Sequence, residues 1–251
     1  MTLFTPLLAQ NRPLITTFIK TPHPMIVEAL EGTGLDCLIL DGEHAPFDLA
    51  AFDTCLLAGR AIQMPMLARV TEGSPAELLR VLDMGADGVL VPHVLTADQA
   101  ESIVKSVHYG AGGRGYSAHS RAGRYSQHNM AAHLENAKSV GIVVQIEDPE
   151  AVENVAEIAA VPGVSAMFVG RADLAVSYGV NNLNDKMVSD ALDAVLAAGK
   201  ANGVPVATFA PQLSDATAFF KKGVRMVAVA SEHKPMQDFF GKAPVAAAKG
   251  A

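Results

Sequence analysis

The sequence predicts a single (β/α)8 barrel, an α/β fold built on a closed parallel sheet. Three observations predict it. Eight short apolar runs punctuate the 251 residues, at 14–19, 35–40, 65–70, 88–91, 141–146, 164–169, 204–209 and 225–230. The runs are rich in Val, Ile and Leu and do not alternate cleanly with polar residues, as expected of strands buried on both faces. Helix signals stand between them, and strands alternating with helices give a parallel sheet. An open doubly wound sheet is the alternative arrangement.

The helices are justified in turn. Ser74-Pro75-Ala76-Glu77 is a capping box with proline at the first helical position. Pro75, Leu78, Leu79 and Leu82 then repeat at helical spacing, and Gly85 stops the helix. Thr96-Ala97-Asp98-Gln99 is a second capping box. Asp148-Pro149 opens a third helix, with Val152, Val155, Ala156 and Ala159 on one face. Gly203 and Gly223 end two later helices. No Pro- or Ser-rich linker divides the chain, so residues 1–251 read as one domain. The longest interruption is a polar loop at about 109–130, and the small-residue tail at 243–251 is expected to fray.

Hydrophobic residues make up 50% of the chain, which excludes disorder. A formal net charge of −7 argues against a nucleic-acid or anionic-membrane partner. The two cysteines, Cys37 and Cys55, form no CxxC, which excludes a disulfide scaffold or a structural zinc site. Trp is absent and aromatics are 6%, too few for base-stacking platforms. Neither a targeting segment nor an apolar stretch of ~18 residues is visible, so the expectation is a cytoplasmic protein.

In such a barrel the chemistry sits at the carboxyl ends of the strands. Four of the eight runs end there in charged or imidazole groups. Asp41-Gly42-Glu43-His44 follows Leu40, Arg69 ends the third run, Gln145-Ile146-Glu147-Asp148 ends the fifth, and Gly170-Arg171-Ala172-Asp173 follows Val169. Glu147 and Asp173 are the metal candidates. Two carboxylates without a nearby cysteine suit a hard ion such as Mg²⁺ or Mn²⁺, and helix capping is their alternative role. Strand alternation lets Gln145 and Glu147 share the inward face. His44 is the candidate base, against an alternative in which it belongs to a polar turn, and Asp41 could orient its ring. Arg69 suits the negative oxygen of an enolate, or else a structural salt bridge to Glu43 or Asp41. Free N–H groups where Gly170-Arg171-Ala172-Asp173 turns into a helix could bind a carboxylate.

Other polar residues read more plainly. Gly110-Ala111-Gly112-Gly113-Arg114-Gly115 matches G-x-G-x-x-G, but no strand precedes it and no amphipathic helix follows. It reads as a flexible loop near the catalytic rim. His119, Arg121, Arg124 and His128 read as a solvated face, with contact to an anionic substrate or a neighbouring subunit as the alternative. His93 reads as a structural histidine at a strand end, able to line the pocket.

The strings Leu40-Asp41-Gly42-Glu43-His44-Ala45-Pro46, Val144-Gln145-Ile146-Glu147 and Phe168-Val169-Gly170-Arg171-Ala172-Asp173-Leu174 resemble the metal-dependent pyruvate aldolases. These include the 4-hydroxy-2-oxoheptanedioate, 2-keto-3-deoxy-sugar-acid and hydroxyketoacid aldolases. The similarity runs from about Leu14 to Phe240. It implies a (β/α)8 barrel, usually hexameric, with a divalent ion (Mg²⁺, Mn²⁺ or Co²⁺) on Glu147 and Asp173. It implies that His44 acts as base through metal-bound water and that Arg69 stabilises the transition state. Gln145, Gly170 and the backbone at Ala172 and Asp173 would hold the 2-oxo acid. The matching string Leu82-Asp83-Met84-Gly85 supplies Asp83 as the aspartate that makes the histidine more basic. Asp83 falls late in a helix, toward the opposite face, and would reach His44 only from a neighbouring subunit. Two departures bear on specificity: Arg171 stands where many members have Pro, and Phe18 where some have Trp.

The expected reaction is a class II aldol addition or cleavage between pyruvate or hydroxypyruvate and an aldehyde. A Schiff-base aldolase would need an internal lysine, and none of the eight runs carries one. Lys20, just after the first run, is the one awkward candidate, and its mutation is expected to leave activity intact. The rival functions are a metal-dependent acyl-CoA or phosphonate lyase, and a non-catalytic barrel that binds oxo acids.

Overall fold

The computed structural model describes residues 4–241. The expected tail at 243–251 lies outside them. Eight parallel strands close into one barrel in sequence order: β1 (Leu14–Ile19), β2 (Cys37–Asp41), β3 (Met66–Arg69), β4 (Gly88–Val91), β5 (Gly141–Ile146), β6 (Ala166–Val169), β7 (Val206–Ala210) and β8 (Met226–Ser231). The helices are α1 (Phe4–Leu8), α2 (Pro24–Glu28), α3 (Leu49–Ala61), α4 (Pro75–Asp83), α5 (Ala97–Val107), α6 (Met130–Ala137), α7 (Pro149–Glu153), α8 (Val155–Ala159), α9 (Arg171–Ser177), α10 (Lys186–Asn202), α11 (Leu213–Lys222) and α12 (His233–Phe240).

Two apolar layers explain why the strand sequences fail to alternate. Leu38, Leu40, Ala68, Val89, Val91, Val144 and Ile146 pack outward against the helices. Leu14, Phe18, Ile39, Leu67, Leu90, Val143 and Phe168 fill the interior. The interior set also contains Phe4, Leu7 and Leu8, so α1 plugs the amino-terminal end of the barrel. At that end a polar residue just before every second strand holds its neighbour. Asp36, Asp87 and Ser165 accept the backbone N–H groups of Ile15, Met66 and Ile142 at 2.8, 2.9 and 3.0 Å.

The capping signals act as their chemistry requires. Ser74 Oγ accepts the N–H of Glu77, while the Glu77 carboxylate turns back to the N–H groups of Thr71, Glu72 and Gly73. Thr96 and Gln99 form the second box. Gly203 and Gly223 adopt left-handed conformations (φ 70° and 103°) at the ends of α10 and α11. The helix expected after Asp148-Pro149 is broken at Asn154, whose side chain donates to the carbonyl of Leu95 at 2.9 Å. The break rotates the buried face, so Ile158 is buried and Ala156 is exposed.

The loop between α5 and α6 is the second correction. It follows a helix that runs antiparallel to the strands, so it lies at the amino-terminal end of the barrel and not near the catalytic rim. Arg121 there donates to the carbonyls of Asp53 and Met84, beyond the ends of strand and helix alike. No described helix is long and apolar enough to cross a membrane.

Candidate active site

The inward-facing register of the interior core continues past the strand ends and delivers the polar residues. On β2 the sequence Cys37, Ile39, Asp41 faces inward, and on β3 Leu67 and Arg69 do so. Asp41 and Arg69 are direct partners in the parallel ladder. On β5 the inward set is Val143 and Gln145, with Glu147 next. On β6 it is Ala166 and Phe168, with Gly170 next. Period-two alternation thus brings four charged or amide groups and a glycine to one end.

Asp41 is fully buried at the centre of an ion-pair network. Its Oδ1 accepts Nε and Nη2 of Arg69 at 3.0 and 2.7 Å, and Lys20 Nζ lies 3.2 Å from Oδ2. Burial pushes this carboxyl up, but the charge of Arg69, the N–H of His44 and the charge of Lys20 together hold it below its ordinary value. Arg69 Nη1 also pairs with Glu43 at 3.0 Å, and its guanidinium lies 4.7 Å from the centre of the Phe18 ring. Both salt-bridge partners considered for Arg69 are therefore used, and the side chain still lines the cavity. Gly42 permits this packing: a Cβ there would meet the Arg69 carbonyl at 2.5 Å and the Phe52 ring at 2.7 Å.

His44 follows on the loop after β2. Asp41 accepts its backbone N–H at 3.0 Å rather than a ring nitrogen, so Asp41 fixes the loop and not the imidazole directly. The ring is half exposed at the cavity, with Nε2 3.9 Å from Glu43. Asp83 is not brought to this site within one chain. It ends α4 at the other end of the barrel and pairs with Arg114.

Glu147 is 1% exposed. Gln145 Nε2 donates to one of its oxygens and the N–H of His93 to the other, at 2.9 Å in the latter case. Burial raises its pKa; Gln145 and His93 pull it part of the way back, and the nearby Asp173 adds to the rise. Gln145 Oε1 is buried without a partner. Asp173 stands in the first turn of α9, which no side chain caps. Gly170, Ala172 and Asp173 line a cavity of about 510 Å³ with Phe18, Lys20 and His44.

Two residues gain a closer place than the sequence suggested. Ligand atoms of Glu43, His93 and Glu147 all lie within 4.8 Å of one another. His93 has φ 52°, an uncommon value for histidine, and this turn aims its N–H at Glu147. Its Nδ1 lies 2.9 Å from Asp148, and that bond, opposed by burial and helped by Glu147, Asp148 and Glu43, raises its pKa. A raised pKa and an Nδ1 turned to Asp148 make it a proton donor to the carboxylates more than a metal ligand. The signal available in the sequence was its position at a strand end. Arg171 is a correction of another kind. Its guanidinium donates to the Leu183 carbonyl and Asn184 and stacks 4.8 Å from the Phe219 ring centre, so its charge is engaged away from the carboxylate site.

A buried carboxylate, an amide beside it, an arginine on an inward strand and a half-exposed histidine share one cavity at the carboxyl end of a barrel. The HpcH/HpaI aldolase/citrate lyase family matches residues 14–238. The chain belongs to this family. An HpcH/HpaI aldolase/citrate lyase family protein from Burkholderia cenocepacia J2315 is similar in structure, with a TM-score of 0.90, 30% identity and coverage of 95% of this chain and 96% of that one. The 5-keto-4-deoxy-D-glucarate aldolase of Escherichia coli O139:H28 (strain E24377A / ETEC) is 35% identical over 90% of this chain and 88% of its own length. An HpcH/HpaI aldolase from Desulfitobacterium hafniense DCB-2, 24% identical with a TM-score of 0.93 over all of this chain and 98% of that one, shares the fold. As an HpcH/HpaI family member the chain is a carbon–carbon lyase with aldolase-type chemistry, and metal dependence is characteristic of the family.

Proposed function

We propose that the chain catalyses reversible aldol addition between a 2-oxo acid, pyruvate or hydroxypyruvate, and an aldehyde, with a divalent cation held by Glu147 and Asp173. The observation that carries this reading is the buried Glu147 beside Asp173, next to the orphaned Gln145 Oε1 and the Gly170 cradle. Two carboxylates and an amide oxygen form an all-oxygen donor set that fits Mg²⁺, Mn²⁺ or Co²⁺. A bound cation neutralises Glu147, whose isolation from water otherwise disfavours its charge. When bound, such an ion is a Lewis acid that acidifies the C3 proton of a chelated 2-oxo acid.

The remaining chemistry belongs to side chains and main chain. The uncapped first turn of α9 offers the N–H groups of Ala172 and Asp173 to the substrate carboxylate. Arg69, fixed by Asp41 and Glu43, places its charge where the enolate oxygen develops. His44 Nε2 takes the C3 proton, and returns one in the reverse direction. Phe18 and Phe168, at 5.9 Å between ring centres, exclude water from the inner wall.

The test is exchange of the pyruvate C3 protons in D₂O, followed by NMR. Chelated enzyme is expected to be silent and added Mg²⁺, Mn²⁺ or Co²⁺ to restore exchange. Folded protein that exchanges with none of these metals overturns pyruvate as the donor. Exchange that survives exhaustive chelation overturns the metal. A Schiff-base route requires a free amine, whereas Lys20 is engaged with Asp41. Borohydride reduction in the presence of pyruvate should therefore leave the protein mass unchanged, and a one-pyruvate adduct on Lys20 would reverse the assignment.

Gly170 supplies a sharper probe of the cation site. A Cβ at this position would stand 2.6 Å from both Cβ and Oε2 of Glu147. Gly170→Ala is expected to displace that carboxylate and weaken Mn²⁺ binding by about tenfold or more. Parental affinity in isothermal titration calorimetry would remove Glu147 from the ligand set.

A further inference from the structure

We propose that a second cavity, at the amino-terminal end of the barrel, binds a small dianionic oxyanion such as a phosphate or a dicarboxylate. It has a volume of about 290 Å³ and is walled by the ends of α3 and α4, the start of β4, α6 and the loop after α5. The length of the barrel separates it from the aldolase cavity. It does not depend on the proposed aldol reaction.

The charge distribution points to an anion. The chain as a whole is acidic, with a net charge of −7. Yet Arg60, Arg114, Arg121 and Arg124 meet on this one wall, and Asp87 is the one carboxylate of the lining. Two of the arginines serve the fold. Arg121 pairs with Asp53 at 2.8 Å, and Arg114 pairs with Asp83 and stacks 4.9 Å from the Tyr109 ring centre. Arg60 and Arg124 have no hydrogen-bond or ion-pair partner among the described residues. They arrive from segments 64 positions apart in sequence and converge only here.

Buried donors without acceptors point the same way. Arg114 is 6% exposed and its Nε has no partner. His133 is 3% exposed; Tyr109 lies 3.1 Å from its Nε2, while its Nδ1 has no partner. With the tyrosine hydroxyl donating to Nε2, the ring proton resides on Nδ1. Buried N–H groups in native proteins have acceptors, so two orphans on one cavity wall mark an acceptor that belongs there. Asp87 cannot serve Nε of Arg114 and His133 while opposing them with a full charge. One of its oxygens already accepts the N–H of Met66, and burial pushes its carboxyl up to about 6.

The loop is built to present Arg124. Residues Arg124, Tyr125 and Ser126 all have left-handed backbones, with φ 48°, 52° and 66°. Three successive non-glycine residues in this region are strained. The turn persists because Tyr125 and Ser126 donate to the carbonyls of Ser120 and Ala118 at 3.1 and 2.8 Å. Arginine forks suit oxyanions, and an occupant would tie the loop to α3 and β4.

The experiment titrates the full chain with inorganic phosphate and, separately, with malonate by isothermal titration calorimetry. One site per chain is expected, with a Kd below about 1 mM for at least one probe. Arg60→Ala and Arg124→Ala should each weaken that binding about tenfold or more, and Lys20→Ala, in the other cavity, should leave it unchanged. The two probes tell a phosphate from a carboxylate occupant. The arginine variants break no native side-chain pair, and loss of binding counts only at a parental Tm. If either fails to melt as the parent does, the charge-retaining Arg60→Lys and Arg124→Lys are read instead, with the same direction of change. Binding that only Lys20→Ala weakens overturns the proposal, as does binding indifferent to both arginines or no binding below about 10 mM.

Discussion

Exchange of the pyruvate C3 protons falls by about a thousandfold or more in Glu147→Gln, and by about a hundredfold to ten-thousandfold in His44→Ala, if the site works as proposed. The two variants lose activity for different reasons, which makes the pair informative. Gln at 147 keeps the size of the side chain and its bond to the N–H of His93, but loses the charge that binds a cation. Its exchange should stay low at any metal concentration that saturates the parent, and its Mn²⁺ affinity should fall with it. His44→Ala removes a half-exposed ring that makes no bond closer than 3.9 Å to Glu43, so metal binding should be intact and only proton transfer lost. Raising the pH or adding imidazole should restore part of its rate. A His44→Ala variant that exchanges within about threefold of the parent would take His44 out of the reaction. A Glu147→Gln variant that still binds Mn²⁺ normally would move the cation toward the group formed by Glu43, His93 and Glu147.

The second large effect is on stability. Asp41→Asn should cost about 3 kcal/mol or more, because removing one partner of a buried ion pair strands the other. Here Arg69 is left with Glu43 alone, and Lys20 loses its carboxylate. For a chain of this size that corresponds to a Tm lowered by roughly 6–12 °C. The pH dependence follows from the same residue. Its folded pKa lies below the unfolded value of ~3.9, so the folded state binds its proton less readily. The stabilisation is fully present above about pH 4 and is lost as the pH falls through the lowered folded value. Thermal melts between pH 7 and pH 2 should therefore show a shallower acid limb for Asp41→Asn than for the parent. A Tm within about 2 °C of the parent at pH 7 would mean that the network is relaxed by water or by Glu43.

Much of this arrangement was legible in the sequence for a simple reason. A parallel strand buried on both faces is a compact apolar run, and a charged residue at its end has few places to point. Leu38-Ile39-Leu40-Asp41 and Met66-Leu67-Ala68-Arg69 are such strings, and their period of two predicted which residues face the axis. The helix caps at Ser74 and Thr96 are local chemistry and were equally readable. The long loop was recognised as a loop, but its end of the barrel was misjudged, because that depends on the direction of the preceding helix. The break at Asn154 was unreadable, since the acceptor that holds it is the carbonyl of Leu95 on a distant turn.

The sequence by itself determined the eight strands, their inward faces and therefore the presence of Asp41, Arg69, Gln145 and Glu147 at one end, because alternation and burial are properties of each segment alone. It also determined membership of the family, through strings contiguous in the chain. Tertiary structure alone decided how those groups share their bonds. Arg69 is divided between Asp41 and Glu43, His93 turns its N–H to Glu147 through a left-handed residue, and Arg171 is drawn away to Asn184. It alone brought Arg60 and Arg124 to a common cavity. Hydrogen-bond partners and local charge are set by distances between remote segments, and those distances exist only once the barrel has closed.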